Sequence, residues 1–202
     1  MSTIAHYHPD TWQADAPDCA RWQIRGSRPI YESRWVSLNL VDVEPPTAEA
    51  YQHHVIRLPH HSVFVVVHHP EHGVLLLYRH RFITDTTGFE VPAGGIEPGE
   101  TPVEAAAREV LEETGWRVDE PRVFATVNAS NGLTDQQFHL AYARAVECVG
   151  PPQDADEADQ LYWVAVPHLA RLVHEGRVAC CPSSLALLHT LTGGLLTTGS
   201  SS

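Results

Sequence analysis

Residues 94–116 read GGIEPGETPVEAAAREVLEETGW, from Gly94 to Trp116. Glu112 lies three residues and Glu113 four residues beyond Glu109. A helix through them therefore gathers three carboxylates on one face. Like charges at those spacings repel and weaken an isolated helix. Their presence points to a cation that offsets the repulsion. Neutralising one of them, as in Glu113→Gln, is accordingly expected to leave folding intact. The helix ends are also written in the sequence. Thr101 followed three residues later by Glu104 is a capping box, and Pro102 suits the first helical position. Gly115 supplies a left-handed stop. These signals predict a helix over 102–114, with Ala105, Ala106, Ala107, Val110 and Leu111 largely off the acidic face. Gly94, Gly95 and Gly99 make a loop that enters it from the strand-like Phe89-Glu90-Val91. Strand, glycine loop and acidic helix together suit a hard divalent cation beside a phosphate chain, because Mg²⁺ takes oxygen ligands and shares substrate phosphates.

The rest of the chain narrows the function class. Its length of 202 residues fits one domain, or one domain with an appended N-terminal element. A hydrophobic content of 43% supports a core. No apolar run reaches the roughly 18 residues a membrane span needs. The start MSTIAHYHPD has neither a basic beginning nor an apolar centre, so a secretion signal is not expected and the cytoplasm is the default location. Cys19, Cys148, Cys180 and Cys181 show neither zinc spacing nor a disulfide framework. The net charge of -12 disfavours nucleic acid as a partner. It leaves room for a small phosphorylated substrate, since metal ions bridge acidic protein to acidic ligand. All 13 basic residues are arginine, which excludes lysine Schiff-base chemistry. The histidine pairs His53-His54, His60-His61 and His68-His69 sit in strand-like context, where neighbours face opposite ways, and read as rim and surface residues.

Four stretches are expected to divide the chain: a poorly ordered start over 1–21, a β extension over 22–58, the main domain over 59–192 and a disordered tail over 193–202. Strands are predicted near 22–43, 51–58, 62–68, 73–78, 89–91, 122–128, 137–146 and 161–166. Helices are predicted at 102–114, 167–175 and 183–191. Strands with helices between and after them suggest an α/β/α sandwich.

The 94–116 segment resembles the Nudix box of the Nudix hydrolases at every charged and glycine position; Trp116 stands where an aliphatic residue is usual. Arg79-His80-Arg81-Phe82 with Phe89-Glu90-Val91-Pro92-Ala93-Gly94 resembles the ADP-ribose pyrophosphatase and nucleoside diphosphate-sugar hydrolase branch. That likeness extends from about Trp22 to Leu191. The stretch Ser130-Asn131-Gly132-Leu133-Thr134-Asp135-Gln136 departs from that branch's SPGFSDE-like pattern, with Asn131 in the proline's place and Gln136 in the glutamate's.

The resemblance implies a mixed sheet between helices and a metal-dependent pyrophosphohydrolase. Its ligands to Mg²⁺ or Mn²⁺ would be Glu109, Glu112, Glu113 and the Ala93 carbonyl. Arg108 would hold the glutamates, one helical turn from Glu104 and Glu112, and Glu100 would organise them from behind. Glu157, with Asp156 second, is the expected general base, on a loop before the LYWVAV strand; Glu112 follows. Arg81 is a candidate diphosphate clamp and Trp35 and Tyr31 are candidates for stacking on a base, with ion pairing and packing as the alternative uses. The expected substrate is ADP-ribose, cleaved to AMP and ribose 5-phosphate. A GDP-sugar, dinucleotide or coenzyme A diphosphatase is the alternative, and a nucleotide-binding regulatory module without catalysis is the alternative from another class. A homodimer built through the N-terminal extension is expected as well.

Overall fold

The computed structural model of the protein describes residues 20–153 and 160–196. Most of the expected disordered start and tail, and Asp156 and Glu157, lie outside the described residues. Thirteen elements follow in order. They are β1 (Gln23–Glu32), β2 (Ser37–Glu44), β3 (Tyr51–Arg57), β4 (Ser62–His69), β5 (Gly73–Arg81), β6 (Thr86–Glu90), β7 (Ala93–Gly95), α1 (Pro102–Thr114), β8 (Trp116–Asn128), β9 (Gln137–Cys148), β10 (Gln160–Val164), α2 (Val166–His174) and α3 (Cys181–Thr192).

The larger sheet has the order β10-β5-β4-β9-β8, with β6 paired to β5 and β7 to β4. The β4–β9 pair is parallel and the others are antiparallel, so the sheet is mixed. Period-two alternation divides its side chains between two layers. Val63, Val65 and Val67 of β4 pack with Ala105, Ala106 and Val110 of α1. Val66 of β4, Leu76 of β5 and Leu140 of β9 pack on the opposite face with Leu169 of α2 and Ala186 and Leu187 of α3. The result is an α/β/α sandwich in which β4 is covered on both faces.

That packing explains how α1 tolerates its acidic stripe. Like-charge pairs at helical spacing cost about 0.2–0.5 kcal/mol each. Burying Val110 alone contributes roughly 1.5–3 kcal/mol. The capping box is present: the Thr101 hydroxyl accepts from the Glu104 N–H at 3.2 Å, and the Glu104 carboxylate accepts from the Thr101 N–H at 2.8 Å. An N-cap of this kind contributes about 1 kcal/mol. At the other end Gly115 adopts φ 70° and its N–H donates to the Leu111 carbonyl.

Several strands differ from the sequence expectation: Ala93–Gly95, expected as part of a loop, forms β7 against β4, β6 begins at Thr86, and β8 and β5 are longer than expected. β8 begins at Trp116, directly after the helix, and not near Arg122. Pro121 falls within an irregularity between Asp119 and Arg122, where Glu120 takes φ 51°. A bulge absorbs the missing N–H and the strand continues. β5 extends to Arg81 because β6 folds back on it as a hairpin.

The smaller sheet, β1-β2-β3, is antiparallel. It is tied to the main sheet's loops by β3. The Ile56 N–H donates to the Leu133 carbonyl at 2.8 Å, His53 Nε2 lies 2.8 Å from the Gly132 carbonyl, and Arg57 pairs with Asp135. The Ser130–Gln136 stretch, which departs from the ADP-ribose branch's pattern, therefore packs against the N-terminal sheet.

Gly115 and Gly99 both have positive φ, but a Cβ at Gly115 would lie 2.0 Å from the Gly150 carbonyl oxygen, whereas at Gly99 nothing lies within 4 Å. Gly99→Ala should lose about 1–2 kcal/mol from the left-handed backbone alone. Gly115→Ala should lose clearly more, as read by urea unfolding; equal losses would show that the contact with Gly150 does not matter.

Candidate active site

The carboxylates of α1 are arranged around one guanidinium. Arg108 Nε and Nη2 each donate to Glu100 at 2.9 Å. Nη1 donates to Glu109 at 2.8 Å and to Glu112 at 3.0 Å. Nη2 also donates to the Gly95 carbonyl at 2.8 Å. All five N–H groups of the fork are thus committed within the protein. Glu104, expected one turn from Arg108, is used by the capping box instead. Glu100 takes that place from the loop before the helix, and its hydrogen bonds to Arg108 hold its carboxyl below the usual range. Burial pushes Glu109 above that range, and the charges of Glu113 and Glu112 add to the rise against the opposing effect of Arg108.

Gly94 makes this approach possible. A Cβ there would fall 2.0–2.2 Å from the Glu109 carboxyl atoms. The loop backbone lies directly against that carboxylate, and any larger residue would push the Glu109 carboxylate aside.

Glu113 faces a different way. It is 2% exposed, Oε1 accepts from Arg79 Nη2 at 2.8 Å, and Oε2 accepts from the Ala93 N–H at 2.8 Å. Arg79, also buried, reaches α1 because it follows Leu75 and Leu77 in the alternation of β5. Sequence reasoning quoted Arg79 without a role; the period-two pattern is the signal that turns it toward the helix. Glu113 therefore links α1, β5 and the start of β7 at Ala93.

Arg81 is paired with Glu90: Nε donates at 3.0 Å and Nη2 at 2.6 Å, and this pairing raises the arginine's already high pKa. Both residues line a cavity of about 690 Å³ walled by Phe64, Phe89, Phe138 and Pro182. Cys180 lines it too, its thiol pushed upward by burial. A second cavity, about 510 Å³, opens at the box itself and is lined by His60, Gly95, Glu97, Arg108 and Glu109, with Ile96 and Pro98. Trp35 and Tyr31 are not brought to either cavity. Tyr31 lies on β1 of the smaller sheet and Trp35 in the turn between β1 and β2, 67% exposed with the Arg34 guanidinium 4.5 Å over its ring. Trp116 packs edge-on against Trp163 at 5.1 Å.

The buried pair overturns the expectation that Glu113→Gln leaves folding intact. Removing one partner of a buried pair costs roughly 3–5 kcal/mol, because the other charge remains. Glu113→Gln and Arg79→Met should each lower the urea midpoint strongly. The double variant should lie well above the sum of the two losses; strict additivity would show that the pair is not coupled.

Comparisons with known proteins agree with this architecture. A family model described as the NUDIX domain matches residues 58–179. A CMP-5'-(N-acetyl-N-hydroxy-3-aminopropyl)phosphonate hydrolase of Streptomyces rubellomurinus is 34% identical, over 85% of this chain and 82% of its own. An ADP-ribose pyrophosphatase of Bacillus subtilis is 27% identical, over 78% of this chain and 86% of its own. The crystal structure of an ADP compounds hydrolase shares the fold with a TM-score of 0.75 at 18% identity, covering 89% of this chain and 96% of that one. The carboxylate face gathered by Arg108, the glycine that admits Glu109 and the family match converge: the chain belongs to the Nudix family and is a Nudix pyrophosphohydrolase.

Proposed function

We propose that the protein hydrolyses the diphosphate bond of a nucleoside diphosphate-linked compound with Mg²⁺ or Mn²⁺, ADP-ribose being the first substrate to test. The observation that carries this reading is the Gly94–Glu109 approach, which sets a partly buried, charge-crowded carboxylate against loop backbone. The donors suit a hard ion, since all are oxygens: Glu109, Glu112, Glu113 through its remaining lone pairs, and the Ala93 carbonyl. Among the described residues no three acidic, histidine or cysteine side chains converge on one ion position. Loading therefore asks Glu109 or Glu112 to turn from Arg108 Nη1. A bound ion neutralises the phosphates and makes a water acidic enough to supply hydroxide near neutral pH.

The chain's own residues supply the rest. Arg108 and Glu100 hold the acidic face, and the Arg79–Glu113 pair fixes Ala93. Arg81, oriented by Glu90, clamps the substrate from the edge of the larger cavity. Glu157 is the proposed base, then Asp156. Both lie outside the described residues, but the chain enters their segment beside the box, where the Gln153 N–H donates to the Glu112 carbonyl at 2.8 Å. Glu112 is the next choice. A second substrate reading, a cytidylyl phosphonate, is favoured by the Streptomyces rubellomurinus relative, whose identity to this chain exceeds that of the ADP-ribose enzyme.

A screen of ADP-ribose, GDP-sugars, dinucleotides, coenzyme A and CMP-linked phosphonates, with Mg²⁺ and Mn²⁺ and read by the phosphate that an added phosphatase releases from the products, tests this. Glu109→Gln should lower the rate on the best compound by at least about a hundredfold, the scale of a lost transition-state electrostatic contact. No turnover by the parent, or near-normal turnover by a folded Glu109→Gln protein, would overturn it.

The homodimer belongs to the same reading. Trp22, Ile24, Tyr31 and Trp35 are exposed on or beside the smaller sheet, a concentration of apolar surface that suits a second copy. Light scattering should give twice the chain mass at micromolar concentration, and deleting residues 1–43 should reduce it to the monomer. A monomeric full chain would rule the dimer out.

A further inference from the structure

The cavity at the box has an electrostatic deficit. A diphosphate entering it meets Glu97 and Glu109, and the guanidinium on its wall, Arg108, gives its five N–H groups to Glu100, Glu109, Glu112 and Gly95, of which the turn of one glutamate onto an ion would release one. The backbone of the same wall is used as well. The Ile96 N–H donates to the His61 carbonyl at 2.9 Å, the Glu97 N–H to Glu100 at 3.0 Å, and Pro98 has none. A metal ion offsets charge, but phosphate oxygens that do not bind it still need donors when they leave water.

His60 is the remaining side chain on that wall with a nitrogen to present. Its position is set by the main chain. Ser62 pairs with Gly95 at the end of β7, the next residue of the loop bonds to the His61 carbonyl, and a Cβ on Gly95 would lie 3.9 Å from that of His60. Gly95 is also the residue whose carbonyl receives Arg108. The adjacent histidine is used elsewhere: His61 Nδ1 accepts the Gln137 N–H at 3.1 Å, and its ring stands edge-on to His139. The pair thus divides, one imidazole bound into the sheet and the other on the cavity wall.

We infer that His60 is a substrate-binding residue of this enzyme, donating an N–H to a non-bridging oxygen of the substrate's diphosphate in the cavity at Glu109. The inference rests on the diphosphate reading above and adds to it a donor from outside the box.

The test uses non-hydrolysable probes, so that it does not depend on turnover. Binding of α,β-methylene-ADP and its cytidine counterpart to the full chain with Mg²⁺ is measured by calorimetry for the parent, His60→Ala, His60→Asn and His61→Ala. His60→Ala should bind the better probe about tenfold more weakly, the scale of one hydrogen bond to a charged group. His60→Asn, which keeps an N–H, should recover most of that loss. His61→Ala should alter thermal stability more than affinity. On the best substrate, His60→Ala should raise KM more than it lowers kcat. Parent binding that survives unchanged in His60→Ala would overturn the assignment of His60 alone. Failure of the parent to bind either probe would overturn the diphosphate reading, and the assignment with it.

Discussion

One guanidinium organises the site. Arg108 joins a loop residue (Glu100), a loop carbonyl (Gly95) and two helix carboxylates (Glu109 and Glu112) in a single planar fork. A lysine ammonium has three donors and no fixed plane, and would not satisfy this set. The fork converts repulsion on α1 into order. It draws the two carboxylates to one nitrogen and fastens the glycine loop to the same place. Gly94 then allows the loop to sit against Glu109. Since Arg108 is only partly buried, its net contribution to stability is modest. What it contributes is position.

A second ion pair does comparable work one layer deeper. Buried pairs are weak evidence for stability, because desolvation offsets much of their attraction. The Arg79–Glu113 pair is better understood by what it connects. Glu113 uses one oxygen for Arg79 on β5 and the other for the Ala93 N–H at the start of β7. Any shift of α1 against the sheet would strain both bonds, so they tie the helix to β5 and to the Ala93 backbone. The site accordingly has an outer set of charges, at Arg108, that stays in reach of solvent and ligand, and an inner set that holds the frame.

Much of this was legible in the sequence, and the misses have physical causes. The limits of α1 follow from Thr101, Pro102, Glu104 and Gly115, because caps are local chemistry. The assignment of faces on β4 follows from its alternation. Arg108's bond to Glu112 follows from helical spacing, but its full set of partners does not. Helical spacing names Glu104 and Glu112, but the capping box had already claimed Glu104, and Glu100 arrives from a loop whose path no periodicity encodes. Arg79's partner was hidden for a similar reason. Alternation places it on the α1 face of β5, yet register between β5 and the helix is set by the tertiary fold. The early start of β8 did not follow either, because the strand's register breaks between Asp119 and Arg122. His60 and His61 look equivalent in sequence; only the pairing of β4 with β7 and β9 separates their roles.

The acidic balance of the chain bears directly on how such a site takes its ligand. With a net charge of -12 and no lysine, the surface repels an anionic substrate at long range. The arginines nearest the box do not reverse this. Arg79 is paired with Glu113, Arg81 with Glu90, and Arg108 with three glutamates. Each pair is close to electrically neutral or negative as a group. Attraction must therefore come from charge that arrives with the ligand, which is the part a divalent ion plays when it bridges carboxylates and phosphates. On the proposed metal-dependent reading, binding of substrate and of ion would be coupled, each supplying charge that makes the other favourable.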